Sequence, residues 1–433
     1  MEQVIIIGGG AAGMMAAISL AEQGYKPTLI EKNDKLGKKL FITGKGRCNL
    51  TNNCQVDELL KNVVTNDKFM YSSFYGFDAR QTIEWFEANG LPTKTERGNR
   101  VFPISDHSSD VLRTLENRMR QLGVNIFLQT EVTELLYDEY DSENQLESES
   151  ISKNKYEKCI SGVLYRTKDG SKKTMKCTRI IVATGGLSYP QTGSTGDGFR
   201  WAKELGLRVA DLHPALVPMC AREGLCKELM GLTLKNVRIS FIAKVKNKDK
   251  LLYKDHGELL FTHFGVSGPI VLSASSYVYK YIKDDLRLVI NMKPALTREQ
   301  LDLRVLRDFS KNQNKDIRNA LDELLPKRMI EYVIEAASID PYKKVHEINK
   351  AERVRLIDAL TEFTIHITDF RDYPEAIITQ GGLSVKEVNP QTMEVKRVKG
   401  LYYIGEVLDV DALTGGFNLQ IAWSTARCVC IEK

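Results

Sequence analysis

Gln3–Glu31 reads QVIIIGGGAAGMMAAISLAEQGYKPTLIE, and this stretch decides the fold. Gln3–Ile7 is a short β-branched apolar run, as expected of a strand buried on both faces in a parallel sheet. It runs into Gly8-Gly9-Gly10-Ala11-Ala12-Gly13, where Gly8, Gly10 and Gly13 satisfy G-x-G-x-x-G. Met14–Gln23 has a helical composition, Gly24 fits its C-terminal cap, and Pro27–Ile30 forms a second strand ending at Glu31. Each glycine has a mechanical reason. Gly8 permits the tight turn, Gly10 lets backbone approach a pyrophosphate, and Gly13 lets helix pack closely on strand. The helix N-terminus offers unpaired N–H groups and the positive end of its dipole to phosphates. Glu31 lies 18 residues past Gly13. Its carboxylate suits ribose hydroxyls and would repel a 2′-phosphate. The spacing therefore predicts a dinucleotide-binding βαβ unit.

Two later segments separate FAD from NAD. Arg179–Gly186 (RIIVATGG) is an apolar strand that stops at a small-residue turn. Gly400–Arg427 (GLYYIGEVLDVDALTGGFNLQIAWSTAR) reads as a strand at Leu401–Ile404, a turn at Gly405-Glu406, and a helix from Asn418 after Gly415-Gly416. A nicotinamide domain would normally be complete within its first 150 or so residues. A late strand, a glycine–acid turn and a helix are the parts that close an FAD site of the glutathione-reductase type. The acid suits the ribityl or pyrophosphate region, and the helix N-terminus suits the pyrimidine edge of the flavin. No second G-x-G-x-x-G occurs, because the glycines of Gly193–Gly198 are spaced differently. NADH or NADPH, if used, is expected as a transient co-substrate.

Gly37–Asn52 (GKKLFITGKGRCNLTN) makes the reading more specific. With the ATGG turn and GEVLDVDALTGGFNLQIAWSTA it resembles the BaiN-like, or aminoacetone-oxidase-like, family of bacterial flavoproteins. Phe261–Ser273 (FTHFGVSGPIVLS) and Thr379-Gln380-Gly381-Gly382 carry the same resemblance, which covers essentially the whole chain. Ala412 stands where that family usually has glycine, and Phe417 where it usually has tyrosine. The resemblance implies an α/β architecture: a discontinuous Rossmann-like FAD-binding domain (1–190 and 365–433), a β-barrel-like insert (191–293 and 351–364) and a small helical domain (294–350). It also implies non-covalent FAD. Members are associated with reducing conjugated double bonds of oxidised bile acids and with oxidising aminoacetone, so the reaction stays open between a nicotinamide-dependent reductase of an activated C=C bond and an oxygen-dependent amine oxidase. An RNA-associated or non-catalytic flavoprotein is the reading from another class.

The cofactor-site candidates follow. They are Gly8, Gly10, Ala11, Ala12 and Gly13; Glu31 and Lys32; Lys39, Gly46, Arg47, Cys48 and Asn49; Val132; Ala183, Thr184, Gly185 and Gly186; Gly405, Glu406 and Asp409; and Gly416, Phe417, Asn418, Leu419 and Gln420. Arg47, in its glycine-flanked loop, suits a pyrophosphate or a substrate, with a surface salt bridge as the competing reading. Cys48 and Cys54 are six positions apart, which is poor spacing for a redox pair, so a small residue packed on the cofactor is expected. His263 and Tyr189 are the candidate proton donors of an interdomain cleft. A structural histidine and a packing tyrosine compete with that reading. Arg371 and Asp372 are further cleft candidates, and Trp85, Trp201 and Trp423 are expected in the core or an interface.

Composition bounds the rest. With 42% hydrophobic and 27% charged residues in 433, the chain has material for a large core and two to three domains. The longest apolar runs are strand-sized, so no membrane span is expected, and no signal peptide is visible before the first strand. The eight cysteines include no C-x-x-C pair, which predicts reduced thiols, a cytoplasmic address and no metal site. Net charge is +5, with a pI near 8.6, too mild to call for nucleic acid. A small-molecule substrate is expected instead; the oligomeric state is open. The densest basic run, Lys244–Lys254, reads as a solvated hairpin, and Asp138–Lys158 as a flexible loop or hairpin tip. Helices are expected at Glu299–Phe309, Ile317–Leu325 and Arg328–Ala337, and strands at Val237–Val245, Leu259–Thr262 and Leu286–Ile290.

Overall fold

The computed structural model describes residues 3–140 and 156–430. Two compact units are present. One is built from the chain up to Pro214 and again from Tyr373; the other is Ala215–Asp372.

The first unit is organised by a five-stranded parallel sheet in the order Leu401–Tyr403, Arg179–Val182, Val4–Ile7, Thr28–Ile30, Asn125–Phe127. Val4–Ile7 sits at its centre and is buried throughout, as its unbroken apolar run requires. The Ala11–Glu22 helix follows. It is buried from Ala12 to Leu20, because it packs on the Phe417–Cys428 and Ser108–Gln121 helices as well as the sheet. Helix and sheet meet at Gly13: a Cβ there would lie 1.9 Å from the Gly8 carbonyl oxygen. Gly24 (φ +91) turns the chain after the helix.

A smaller sheet pairs Lys158–Arg166 antiparallel with both Glu131–Glu139 and Lys172–Lys176. Glu139 lies opposite Lys158, and most of the loop expected over Asp138–Lys158 lies outside the described residues.

The second unit contains a closed six-stranded barrel: Met219–Ala221, Gly265–Ser267, Lys248–Thr262, Thr233–Val245, Arg287–Asn291 and Phe363–Phe370. Phe363–Phe370 closes it by pairing with both Met219–Ala221 and Arg287–Asn291. Alternation is strict where the wall is one-sided: Val237, Ile239, Phe241 and Ala243 are buried. The Arg298–Lys311 and Lys350–Thr361 helices open with capping boxes, Thr297 with Gln300 and Asn349 with Glu352.

Three expectations are corrected. The unit boundaries fall after Pro214 and Asp372 rather than after 190 and 364. The Asp197–Glu204 helix belongs to the first unit, where the Trp201 indole donates to the Thr133 carbonyl (3.2 Å) and the Tyr403 hydroxyl to that of Gly198 (3.1 Å). Residues 365–370 complete a barrel strand. The helical segment around 294–350 is part of the same compact unit as the barrel, not a third one. Finally, Ile317–Leu325 is no helix but a short 3-10 turn at Ile317–Asn319. Its backbone bonds run across the chain, Ile317 N–H to Lys343 O and Val345 N–H to Lys315 O, and Pro326 disfavours helix at Leu325. The apolar spacing was real, since Ile317, Leu321, Leu324 and Leu325 are all buried. Among the described residues no helix is long and apolar enough to cross a membrane.

The Gly13 contact yields a test. Gly13→Ala must push the helix off the Gly8 carbonyl, and should cost about 1–3 kcal/mol, read as a lower midpoint of thermal or urea unfolding.

Candidate functional site

The first turn builds one wall of a cavity at the C-terminal ends of the parallel strands. Gly8 turns with φ +106, where a Cβ would come within 2.5 Å of the Ala183 carbonyl oxygen. Its N–H donates to Ile30 O (2.9 Å), tying the turn to the neighbouring strand. A Cβ on Gly10, by contrast, would meet nothing within 4 Å, so the backbone there is open to a ligand. Gly10 also precedes the helix and no side chain caps it. The first-turn N–H groups therefore have no intrahelical acceptor.

Glu31 holds this turn in place. Its buried Oε2 accepts from Gly9 N–H (2.7 Å), and Oε1 accepts from the Asn33 backbone (2.8 Å) and side chain (2.7 Å). Lys32 reaches the other way, to Asp197 Oδ2 at 2.8 Å.

The opposite wall centres on Glu406, a partly buried carboxylate that gathers distant segments. Oε1 accepts from Ser188 Oγ (2.8 Å) and Thr379 N–H (3.0 Å); Oε2 lies 2.6 Å from Lys39 Nζ. Lys39 Nζ also donates to Ser188 Oγ (2.6 Å). Thr379 Oγ1 in turn accepts from the backbone N–H of Leu187 and Ser188. The third wall is the start of the Phe417–Cys428 helix, again without a side-chain cap. Asn418 anchors it by a two-way amide pair with the Ala412 backbone (2.9 and 2.7 Å).

These walls line one continuous cavity, from the Gly8–Ala12 turn across to the start of the Phe417–Cys428 helix. Of the residues read from the sequence, Gly8, Gly10, Ala11, Ala12, Glu31, Lys32, Lys39, Val132, Ala183, Thr184, Gly185, Glu406, Asn418 and Leu419 line it. Gly13, Gly186, Gly405 and Gly416 stand behind this lining as packing positions. Sequence reasoning missed Ser188 and Thr379. Thr379 stood in a quoted motif and Ser188 just beyond the Arg179–Gly186 run, but nothing in either stretch says that it meets a glutamate from a third segment.

The other candidates have different work. Arg47 is not in the lining: it bonds Glu96 and Asp106 and lies 4.1 Å over the Phe102 ring. The competing salt-bridge reading describes it. Gly46 stands in the same loop, also outside the lining, and Asn49 Oδ1 accepts from Val101 N–H. Cys48 is fully buried in a left-handed conformation (φ +58), and burial pushes its thiol far above the ordinary range. Burial also raises Cys54, to about 11, and all eight cysteines are unpaired. Asp409 is held by Asn66 away from the lining, and burial raises its carboxyl. Phe417 is buried in the core. Gln420 is a buried node: it accepts from Thr51 and Thr82 hydroxyls and donates to Phe77 O and Ser424 Oγ, which uses its whole amide.

Tyr189 has a left-handed backbone (φ +51), and its N–H donates to Tyr373 O. Burial, then the charge of Glu375, raises its phenol, so it stays protonated at neutral pH. His263 is exposed at the turn between two barrel strands of the second unit, its ring edge-on to Phe264. Arg371 lies 4.6 Å over that same Phe264 ring. Among the described residues no cluster of three metal-ligating side chains occurs.

Burial of Cys48 predicts its reactivity. At pH 8 a maleimide should label exposed Cys430 in the folded protein and leave Cys48 unmodified until denaturant is added, as read by peptide mass spectrometry.

The chain matches, over residues 2–431, the family model described as HI0933-like protein Rossmann domain. It is 30% identical over 424 residues to the ribosomal RNA dihydrouridine synthase of Escherichia coli (strain K12), covering 98% of this chain and 95% of that protein. It is 28% identical over 429 residues to the 3-dehydro-bile acid delta(4,6)-reductase of Clostridium scindens, covering 98% and 97%. Among solved structures, 3-ketosteroid delta1-dehydrogenase from Sterolibacterium denitrificans aligns over 99% of this chain and 98% of its own, with a TM-score of 0.50 at 13% identity, a likeness of fold. A Rossmann sheet with a barrel insert, matched end to end by one family model, places this chain in the HI0933-like family of FAD-dependent oxidoreductases.

Proposed function

We propose that the protein reduces a carbon–carbon double bond conjugated to a carbonyl group, with FAD as its bound cofactor. The observation that carries this is the three-walled cavity, read together with the two relatives' names. Dihydrouridine synthesis and delta(4,6) reduction of a 3-dehydro bile acid both saturate a C=C bond. In a uracil ring and in a 3-oxo-4,6-diene alike, that bond is conjugated to a carbonyl. The geometry supports the cofactor assignment. The open backbone at Gly10 and the N–H groups of Ala11 and Ala12 would hold the pyrophosphate. Glu31 keeps one acceptor site, on Oε2, for a ribose hydroxyl after bonding Gly9 and Asn33. The Asn418–Leu419 turn would face the flavin's pyrimidine edge, where negative charge grows on reduction. Lys39 would keep Glu406 from repelling the phosphates by neutralising it.

When bound, FAD supplies hydride transfer through its N5 position. The chain must deliver the proton that completes saturation. Tyr189 Oη, held protonated by burial and by Glu375, is assigned that role, with His263 as the alternative donor. NADH or NADPH is the proposed electron source.

A second reading concerns the substrate: the conjugated ring is a uridine within RNA. The distribution of charge favours it. Basic residues outnumber acidic ones 27 to 22 in Ala215–Asp372 and balance at 34 each elsewhere, so the whole positive excess belongs to the barrel unit.

The test starts from the purified yellow protein under anaerobic conditions. NADH or NADPH should bleach the flavin, and a 3-oxo-4-ene steroid or a uridine-containing RNA should restore its colour. Bleaching by an amine with peroxide release in air, and by neither nucleotide, would replace the reductase reading with an oxidase. Glu31→Ala should weaken FAD binding about 10- to 100-fold, read by fluorescence titration of the apoprotein. Tyr189→Phe should lower kcat about 100-fold or more and flatten the alkaline limb of the pH profile while leaving flavin bleaching by the nucleotide unchanged.

A further inference from the structure

We propose that the tip of the long barrel hairpin, together with the turn packed beside it, is a docking surface for the phosphate backbone of RNA. This extends the uridine reading above and rests on it. The hairpin joins Thr233–Val245 to Lys248–Thr262 through a two-residue turn, Lys246-Asn247, with both residues at positive φ (50° and 61°). The third strand of the ladder, Arg287–Asn291, last pairs at Ile242. Beyond that point the two-stranded ribbon carries exposed Lys244, Lys246, Lys248 and Lys250; exposed Lys254 lies just before it, opposite Ser240.

Within the run the sequence interposes one aromatic residue, Tyr253 between Lys250 and Lys254. The fold brings further rings to it. Tyr253 on the ribbon stacks on Tyr277 at 5.1 Å, and Lys250 and Lys280 both lie 5.4 Å from the Tyr281 ring centre. Lys280, over the same Tyr281 ring, is exposed, as is Lys283 two residues after Tyr281 in the chain. Three nearby acids are already engaged, Asp249 and Asp285 with Arg287 and Asp255 with the Tyr253 hydroxyl; Asp284, whose carbonyl accepts from Lys244 N–H, is a fourth acid at this surface. Among the described residues, none of these seven lysines forms an ion pair with a carboxylate. A solvated charge run needs no aromatic platform and no uncompensated excess. A polyanion with stacking bases uses both. An anionic membrane fits less well, because only Leu251 presents a large exposed apolar side chain on the ribbon.

The experiment measures fluorescence anisotropy of a labelled single-stranded oligouridylate with the FAD-loaded protein across a salt series. Wild type should bind with an affinity that falls steeply with salt. Lys246→Glu/Lys248→Glu/Lys250→Glu should bind roughly tenfold or more weaker, and the triple Gln variant should show a smaller salt slope, by about 0.7 for each phosphate no longer neutralised. Tyr281→Ala should weaken binding by roughly fivefold or more with the salt slope kept. Retained flavin absorbance and unchanged bleaching by nucleotide check that the variants are folded. Absence of RNA binding at low salt, binding that the charge reversal does not move, or binding to phosphatidylserine vesicles in preference to RNA would each overturn the proposal. RNA that binds at the hairpin but is never reduced would remove the uridine reading and leave the docking surface standing. Reduction of RNA unaffected by the hairpin variants would do the reverse.

Discussion

The close approach of Gly13 to the Gly8 carbonyl is the contact on which the remainder depends. A side chain on Gly13 would occupy the position of that oxygen, and one on Gly8 would strike the Ala183 carbonyl. With neither present, the buried helix seats against the central strand and its free N–H groups arrive at the mouth of the sheet. The same spacing lets Glu31, at the end of the next strand, reach back to Gly9. One carboxylate thereby locks the turn whose backbone remains open at Gly10. The site is preorganised because its shape is set by backbone contacts, which cannot relax as side chains do.

A second constraint is electrostatic. Glu406 gathers Lys39, Ser188 and Thr379, residues from three other stretches of chain, into one partly buried knot. An unpaired carboxylate there would be costly to desolvate and would oppose any phosphate nearby. Paired with Lys39, it is neutral overall and still offers hydrogen-bond acceptors. Gln420 plays the matching part inside the core. Its amide is spent on Thr51, Thr82, Phe77 and Ser424, which fixes the helix whose first turn forms the third wall.

The cavity-lining residues that could be read directly were those whose function is local. Gly8, Gly10, Glu31 and Asn418 belong to runs in which spacing along the chain determines spacing in the turn. The loop Thr43–Asn49 shows where that logic stops. Arg47 looked like a phosphate ligand because it is flanked by glycine and cysteine. Glu96 and Asp106, about 50 and 60 positions further on, claim it instead. Gln420 looked like a ligand because it follows the glycine turn, yet helical periodicity turns it inward. Ile317–Leu325 had helical apolar spacing, but Lys343 and Lys315 supply the backbone partners that a helix would have supplied internally.

Local rules therefore determined the parallel βαβ core, the late strand–turn–helix and three of the six barrel strands, because burial on one or both faces imposes a period that any stretch of sequence displays. The same rules determined that the first helix would leave its first N–H groups without a side-chain cap. Only the tertiary structure decided which polar groups face the cavity, which charges are spent on each other and which are left over. Those outcomes hinge on pairs far apart in the chain, such as Lys39 with Glu406 or Lys250 with Tyr281. An ion pair or a cation–π contact depends on distance in space, and separation along the chain carries no record of it.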